Sequence, residues 1–248
     1  MHPDTQASMA GLAIEAKAVR KSFADQQVLD GLDLGLLQGE LFALVGGNGA
    51  GKTTLIKCIL DFCPLDGGEI RIFGVDRSLI RARAPLAYLP ERFLPPHFLT
   101  GREFLRTMAH FYGVSWQEDG AEAVCLDLDM EPSALGRPIR TLSKGMTQKL
   151  GLAACLMSGK ALLLLDEPMS GLDPRARTLL KKQLLRLKES ATTVFFNTHL
   201  LADVAEICDR MAVLHRGRLS FIGTPDECQT TFGGDSLEEA CLRCMDAG

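Results

Sequence analysis

A chain of 248 residues, 46% of them apolar, can bury the core of one large α/β domain or of two small lobes. Its net charge of −4 argues against a nucleic-acid partner, and no apolar run approaches the length of a membrane-spanning helix. The start, Met1-His2-Pro3-Asp4, lacks the basic and apolar regions of a signal peptide, so a cytosolic protein is expected. The cysteines fit that compartment. Cys58, Cys63, Cys125, Cys155, Cys208, Cys228, Cys241 and Cys244 fall mostly within apolar helical patterns and read as buried reduced thiols. Cys241 and Cys244 stand three apart, an ordinary helical spacing; a metal or redox pair is the other reading, with no second ligand pair to accompany it.

In chain order, residues 1–11 read as a loose tail. Residues 12–19 alternate and predict a strand, followed by Lys21-Ser22-Phe23. Phe23 has two readings, a core aromatic or a ring that stacks on a base. Residues 28–34 alternate again, and 36–40 turn the chain into the apolar run Leu41-Phe42-Ala43-Leu44-Val45, the mark of a buried strand. The stretch Gly46-Gly47-Asn48-Gly49-Ala50-Gly51-Lys52-Thr53-Thr54 follows and fits G-x-x-x-x-G-K-[ST]. Its glycines let backbone N–H groups approach a phosphate, and the helix predicted over 54–60 adds its dipole. Lys52 supplies charge for the β- and γ-phosphates, and the Thr53 hydroxyl suits Mg²⁺. Residues 67–74 read as another short strand.

From about residue 91 to 157 the pattern becomes helical, entered past Pro90, Pro95 and Pro96 and broken later by Pro132 and Pro138. Thr100 and Glu103 form a capping box, and Phe104, Leu105, Met108, Phe111 and Tyr112 follow at core spacing. This span reads as a helical lobe inserted into an α/β core. Next, Ala161-Leu162-Leu163-Leu164-Leu165-Asp166-Glu167-Pro168 is a continuous apolar run, read as a buried strand, that ends in two acids. Residues 179–188 predict a basic amphipathic helix with a solvated face, and 192–199 a strand ending at His199. Residues 204–209 are helical, 211–219 read as strand, turn and strand, and 236–245 as a short helix. Three strand ends thus carry phosphate chemistry: Lys52 and Thr53, then Asp166 and Glu167, then His199. Asp166 suits Mg²⁺ as a Walker-B acid does, and Glu167 can polarise a water for attack on a γ-phosphate.

At Leu142-Ser143-Lys144-Gly145-Met146-Thr147-Gln148 the chain resembles the ATP-binding-cassette (ABC) ATPases. Their signature is L-S-G-G-Q; Ser143 and Gly145 hold, while Lys144 and Met146 depart. Ser170-Gly171-Leu172-Asp173 resembles the D-loop, His199 matches the switch histidine, and Phe23 matches the aromatic that stacks on adenine. Glu91 stands where the Q-loop carries glutamine, and Gly47 where the P-loop often has proline. Together Tyr88-Leu89-Pro90-Glu91 and Ser143-Lys144-Gly145-Met146 are similar to the ATPase subunits of ABC type two exporters.

The resemblance implies a P-loop NTPase core of mixed sheet flanked by helices, with an N-terminal antiparallel β subdomain and an inserted helical subdomain, all in one ATPase domain. It implies ATP and Mg²⁺ as cofactors. Residues 46–54 and Phe23 would bind ATP; Thr53, Asp166 and Glu91 would hold the metal; Lys52, Glu167 and His199 would act in hydrolysis. Ser143, Lys144, Gly145 and Met146 would reach the ATP of a partner, with Asp173 beside them. Met146 there lacks the amide that glutamine would extend to that nucleotide. The implied partners are a second copy, facing head to tail, and a separate transmembrane permease, beneath which this chain would dock on the cytoplasmic face of the membrane. Two other readings stand beside this one: a soluble ABC ATPase of ribosomes or DNA, and a nucleotide-sensing regulator that does not hydrolyse.

Overall fold

The computed structural model describes residues 11–247. The tail read over 1–11, but for Gly11, lies outside the described residues, as do the four residues weighed for a signal peptide. Strands β1 (Leu12–Phe23) and β2 (Gln26–Leu37) form a long antiparallel hairpin. Both outrun the alternation that predicts them. Register shifts break the pairing between Ala16 and Val19, where Ala18 has φ 48°, so the two-residue period is lost although the strand continues. The short buried β3 (Leu41–Val45) leads into α1 (Lys52–Ile59). Then β4 (Gly67–Ile72) and β5 (Val75–Asp76) complete a four-stranded sheet of order β2-β1-β4-β5.

The second sheet is the core. It takes β6 (Leu86–Leu89), β7 (Leu162–Asp166), β8 (Thr193–Thr198), β9 (Arg210–His215) and β10 (Arg218–Gly223) in the order β10-β9-β3-β8-β7-β6. All pairs are parallel except β9 with β10, which makes the sheet mixed. Alternate residues of its central strands enter two different cores. Phe42, Leu44, Leu162, Leu164 and Phe195 pack with α1 and the antiparallel sheet. Leu41, Ala43, Val45, Leu163, Leu165, Val194 and Phe196 pack with the other helices. Burial on both faces explains why these strands are continuous apolar runs. Phe42 and Phe195, paired in register, stack with ring centroids 5.9 Å apart. Each such side chain contributes about 1.5–3 kcal/mol on burial, so the strands that carry the site are firmly held.

Between β6 and β7 the chain inserts α2 (Gly101–Tyr112), α3 (Glu118–Asp127) and α4 (Lys144–Leu156). The capping box of α2 forms: Glu103 N–H donates to Thr100 Oγ1 at 3.2 Å, and Thr100 N–H to Glu103 Oε2 at 2.8 Å. Phe104 and Leu105 are buried as their spacing predicts, but Phe111 is 74% exposed. Periodicity specifies a side of a helix, not how far its neighbours reach along it, and Phe111 sits in the last turn.

Four more helices flank the core: α5 (Pro174–Glu189), α6 (Leu201–Ile207), α7 (Pro225–Phe232) and α8 (Leu237–Asp246). The basic face of α5 is less free than expected. Lys181 pairs with Asp203 and Glu206, Lys188 with Asp209, and Arg186 with Asp127. Among the eight free cysteines only Cys208 is partly exposed. Cys241 and Cys244 share a core with Cys228 of α7, where burial pushes the Cys244 thiol up to about 11. Among the described residues no group of three or more His, Cys, Asp or Glu forms a metal cage, and no helix is long and apolar enough to cross a membrane.

Candidate functional site

The order of the core sheet brings four loops to one edge. β3, β8, β7 and β6 lie side by side and run the same way, with Val45 level with Thr198 and Asp166 level with Asn197. The loops leaving their C-terminal ends therefore open on one place, the usual position for a ligand in such a sheet. Between them lies a cavity of about 560 Å³. Asn48, Gly49, Ala50, Gly51, Lys52, Thr53 and Thr54 line one side; Glu91, Glu167, Ser170, Asn197 and His199 line the other; Gln26 and Val28 close it laterally.

Two glycines are required by this geometry. A Cβ on Gly46 would stand 2.3 Å from the Leu214 carbonyl oxygen of β9. Gly51 turns the chain into α1 at φ 109°, and its Cβ would stand 2.9 Å from the Val28 carbonyl oxygen. Gly47 has no such neighbour, so its place has room for a larger residue. Lys52 is buried in the first turn of α1, where Nζ donates to Gly46 O at 2.7 Å and Gly47 O at 3.2 Å. None of the ion pairs among the described residues includes it. A buried ammonium held only by carbonyls is under-compensated. The first N–H groups of α1 add partial positive charge in the same direction. This side of the cavity suits a polyanion of the kind a triphosphate presents.

The facing side carries the opposite charge. Asp166 ends β7, buried; its Oδ1 accepts from Asn197 Nδ2 at 2.5 Å and from Thr53 Oγ1 at 3.3 Å. Burial raises its pKa above the usual carboxylate range, and the charge of Glu91 pushes the same way, while the bonds from Asn197 and Thr53 pull it down. Glu167 follows at φ 51°, a left-handed conformation unusual for a residue with a side chain. Its N–H donates to Asn197 Oδ1 at 2.7 Å, and its Oε2 lies 3.0 Å from His199 Nδ1. Desolvated negative charge beside a hydroxyl is what a divalent cation relieves. Thr53, Asp166 and Glu91 are too few to cage an ion by themselves. They fit Mg²⁺, which keeps water and phosphate oxygens in its shell.

The remaining expected residues lie elsewhere. Phe23 stands half exposed at the end of β1, with Lys21 Nζ 5.2 Å from its ring centroid, and does not line the cavity; Gln26 and Val28 do. Ser143 caps α4 by accepting the Met146 N–H at 3.2 Å. Gly145 packs so closely on the Gly171 turn that a Cβ would stand 3.1 Å from Gly171 O. Lys144 lines a separate groove of about 430 Å³ with Glu91, Gln148 and Ser170, and Met146 packs on the core. Asp173 caps α5 through the Ala176 N–H at 3.0 Å, and its other oxygen lies 3.7 Å from Nζ of the buried Lys149. One chain therefore gathers residues 48–54, Glu91, Glu167 and His199 around one cavity, with Asp166 buried behind Thr53. It does not bring Ser143, Lys144, Gly145, Met146 or Asp173 to it. The residue that sequence reasoning missed is Asn197. Its signal was an asparagine inside the apolar run of β8, since a buried amide has to find partners.

Comparison with known proteins identifies the family and the fold. Residues 29–170 match the family described as ABC transporter. Over 97% of its length the chain is 36% identical to an uncharacterized ABC transporter ATP-binding protein of Synechocystis, of which it spans 69%. Over 88% of its length it is 35% identical to the Nod factor export ATP-binding protein I of Sinorhizobium fredii, of which it spans 64%. A solved ATP-binding subunit of an ABC transporter superposes with a TM-score of 0.87 at 32% identity, covering 94% of this chain and 99% of that one.

Proposed function

This chain belongs to the ABC transporter family, and from that premise we propose that it binds and hydrolyses ATP to power export through a separate membrane permease. The observation that carries the proposal is the convergence of Lys52, Thr53 and Glu167 on one cavity, with the buried Asp166 hydrogen-bonded directly behind Thr53. Backbone N–H groups of residues 49–54 and the Lys52 ammonium cradle the β- and γ-phosphates. Thr53, Asp166 and Glu91 would hold Mg²⁺, which would neutralise phosphate charge. Glu167 accepts the proton of the attacking water. His199, which lines the same cavity, holds that carboxylate through Nδ1.

The signature residues, remote from this cavity within one chain, serve the ATP of a second copy in a head-to-tail pair. The non-hydrolysing reading loses ground because the acid, base and lysine meet in one place, whereas a soluble ATPase would share that site and is weighed against only by the transporter names of the relatives. Export, rather than transport in general, is supported by the Nod factor export relative. The permease would dock near the junction of Glu91 with the inserted helices, where Leu94 and Phe98 are about 80% exposed.

Two measurements test this. Purified chain releases phosphate from ATP only with Mg²⁺ and co-purifies with a multi-span membrane protein; ATP bound without phosphate release would favour a regulator. Asp166→Asn is expected to raise the Mg²⁺ needed for half-maximal rate by roughly 10-fold or more, the loss typical when a metal's oxygen shell is disturbed. An unchanged Mg²⁺ requirement would remove Asp166 from the metal.

A further inference from the structure

We propose that Asn197 is the positioning residue that sets the two acids of the site relative to each other, a role resting on the reading of Glu167 as general base. Its side chain is fully buried in β8, beside the end of β7, and spans both acids. Nδ2 donates to Asp166 Oδ1 at 2.5 Å, and Oδ1 accepts from the Glu167 N–H at 2.7 Å. Turning the amide over would set its oxygen against a carboxylate and its NH₂ against an N–H, so only one orientation is viable. No other side chain in this place performs both tasks at this length. Aspartate would put a second carboxylate beside Asp166. Leucine, of similar shape, would leave a buried oxygen and a buried N–H without partners.

The consequence for Glu167 follows from its backbone. At φ 51° it occupies a conformation that residues with side chains seldom adopt, and such conformations persist where the surroundings hold them. The bond from its N–H to Asn197 is one such hold. Ser170 N–H donating to Glu167 O at 3.0 Å is another, but it lies within the loop itself. His199 holds the Glu167 side chain, but among the described residues it is Asn197 that joins the backbone N–H of Glu167 to the carboxylate of Asp166. The base is thereby held at a set position relative to Asp166, the acid that would hold the cation. Relaxation of the turn toward extended backbone would swing the carboxylate away from His199 Nδ1.

The test uses Asn197→Leu and Asn197→Ser, each alone and combined with Glu167→Gln, in full-length protein checked for folding by circular dichroism. Each single variant is expected to keep ATP affinity and lose roughly 10²-fold in kcat, the scale of a reacting group displaced by about 1 Å. In the Glu167→Gln background the same change should cost little further turnover, because the positioned base is already gone. A second readout needs no turnover. Mn²⁺ affinity of the ATP complex, measured by paramagnetic resonance in Glu167→Gln, should fall roughly 10-fold when either Asn197 change is added. Loss of ATP affinity with kcat intact, or an equal further loss of turnover in the Glu167→Gln background, overturns the proposal in favour of a purely structural role. A normal rate in Asn197→Leu beside an inactive Glu167→Gln overturns it while leaving the base in place. A normal rate in Glu167→Gln itself overturns the reading of the base and this proposal with it.

Discussion

Glu167→Gln is expected to keep ATP bound and to lower turnover by roughly 10²–10⁴-fold, the range for a positioned general base. Glutamine has nearly the same shape, and the backbone bond from residue 167 to Asn197 Oδ1 does not involve the side chain. The strand end therefore stays in place. The amide oxygen still accepts a hydrogen bond from His199 or from water, but the amide does not readily take the proton that hydrolysis releases. Removing one of three neighbouring acids also lessens repulsion of the γ-phosphate, so ATP binds more tightly. Uncleaved ATP then holds two copies together. Phosphate release and gel-filtration size, measured with ATP and Mg²⁺, read both effects. A normal rate would mean that Glu167 is not the base, leaving His199 or a substrate phosphate oxygen as acceptor.

The parts of this site that were readable in the sequence share a physical origin. β3, β7 and β8 are buried on both faces, so they appear as short apolar runs, and the residue after each run must lie at the sheet edge. Asp166, Glu167 and His199 could be placed from that, and Lys52 from the glycine-rich motif that follows β3. What could not be read depends on long-range pairing. β1 and β2 are longer than their alternation because a bulge interrupts the period. The short β6 is a strand because β7 pairs with it, not because of its own pattern. The helix α7 did carry a local signal, a capping box of Thr224 and Glu227, that went unread. Phe111 has core spacing but lies where its neighbours do not cover it. Nor does spacing reveal that Phe23 stands clear of the cavity while Gln26 and Val28 line it.

The electrostatics follow the same division. That a lysine and two acids belong to phosphate chemistry was visible from residue type and position. That Asp166 is buried deeply enough to raise its pKa, against the pull of Asn197 and Thr53, depends on how strands pack. Lys149 is a similar case. It sits within the helix that follows the signature, yet its Nζ reaches Asp129 O at 2.8 Å and lies 3.7 Å from Asp173. It thereby links α4 to the cap of α5, a contact between residues far apart in sequence.

The central claim, that each ATP is handled by the P-loop of one copy and the signature of another, is tested most directly by mixing two damaged variants. Lys52→Ala removes the buried cation of the cavity and should abolish tight ATP binding. Ser143→Arg places a long cationic side chain at the start of α4, outside that cavity, and also removes the cap on the Met146 N–H at a cost of about 1 kcal/mol. Each protein alone forms pairs with two damaged sites and should hydrolyse little ATP. A mixed pair holds one site with both lesions and one site with neither. Equal amounts mixed should therefore recover roughly a quarter of normal phosphate release, since half the pairs are mixed and each has one intact site of two. Phosphate release no greater than the sum of the separate variants would contradict the shared site.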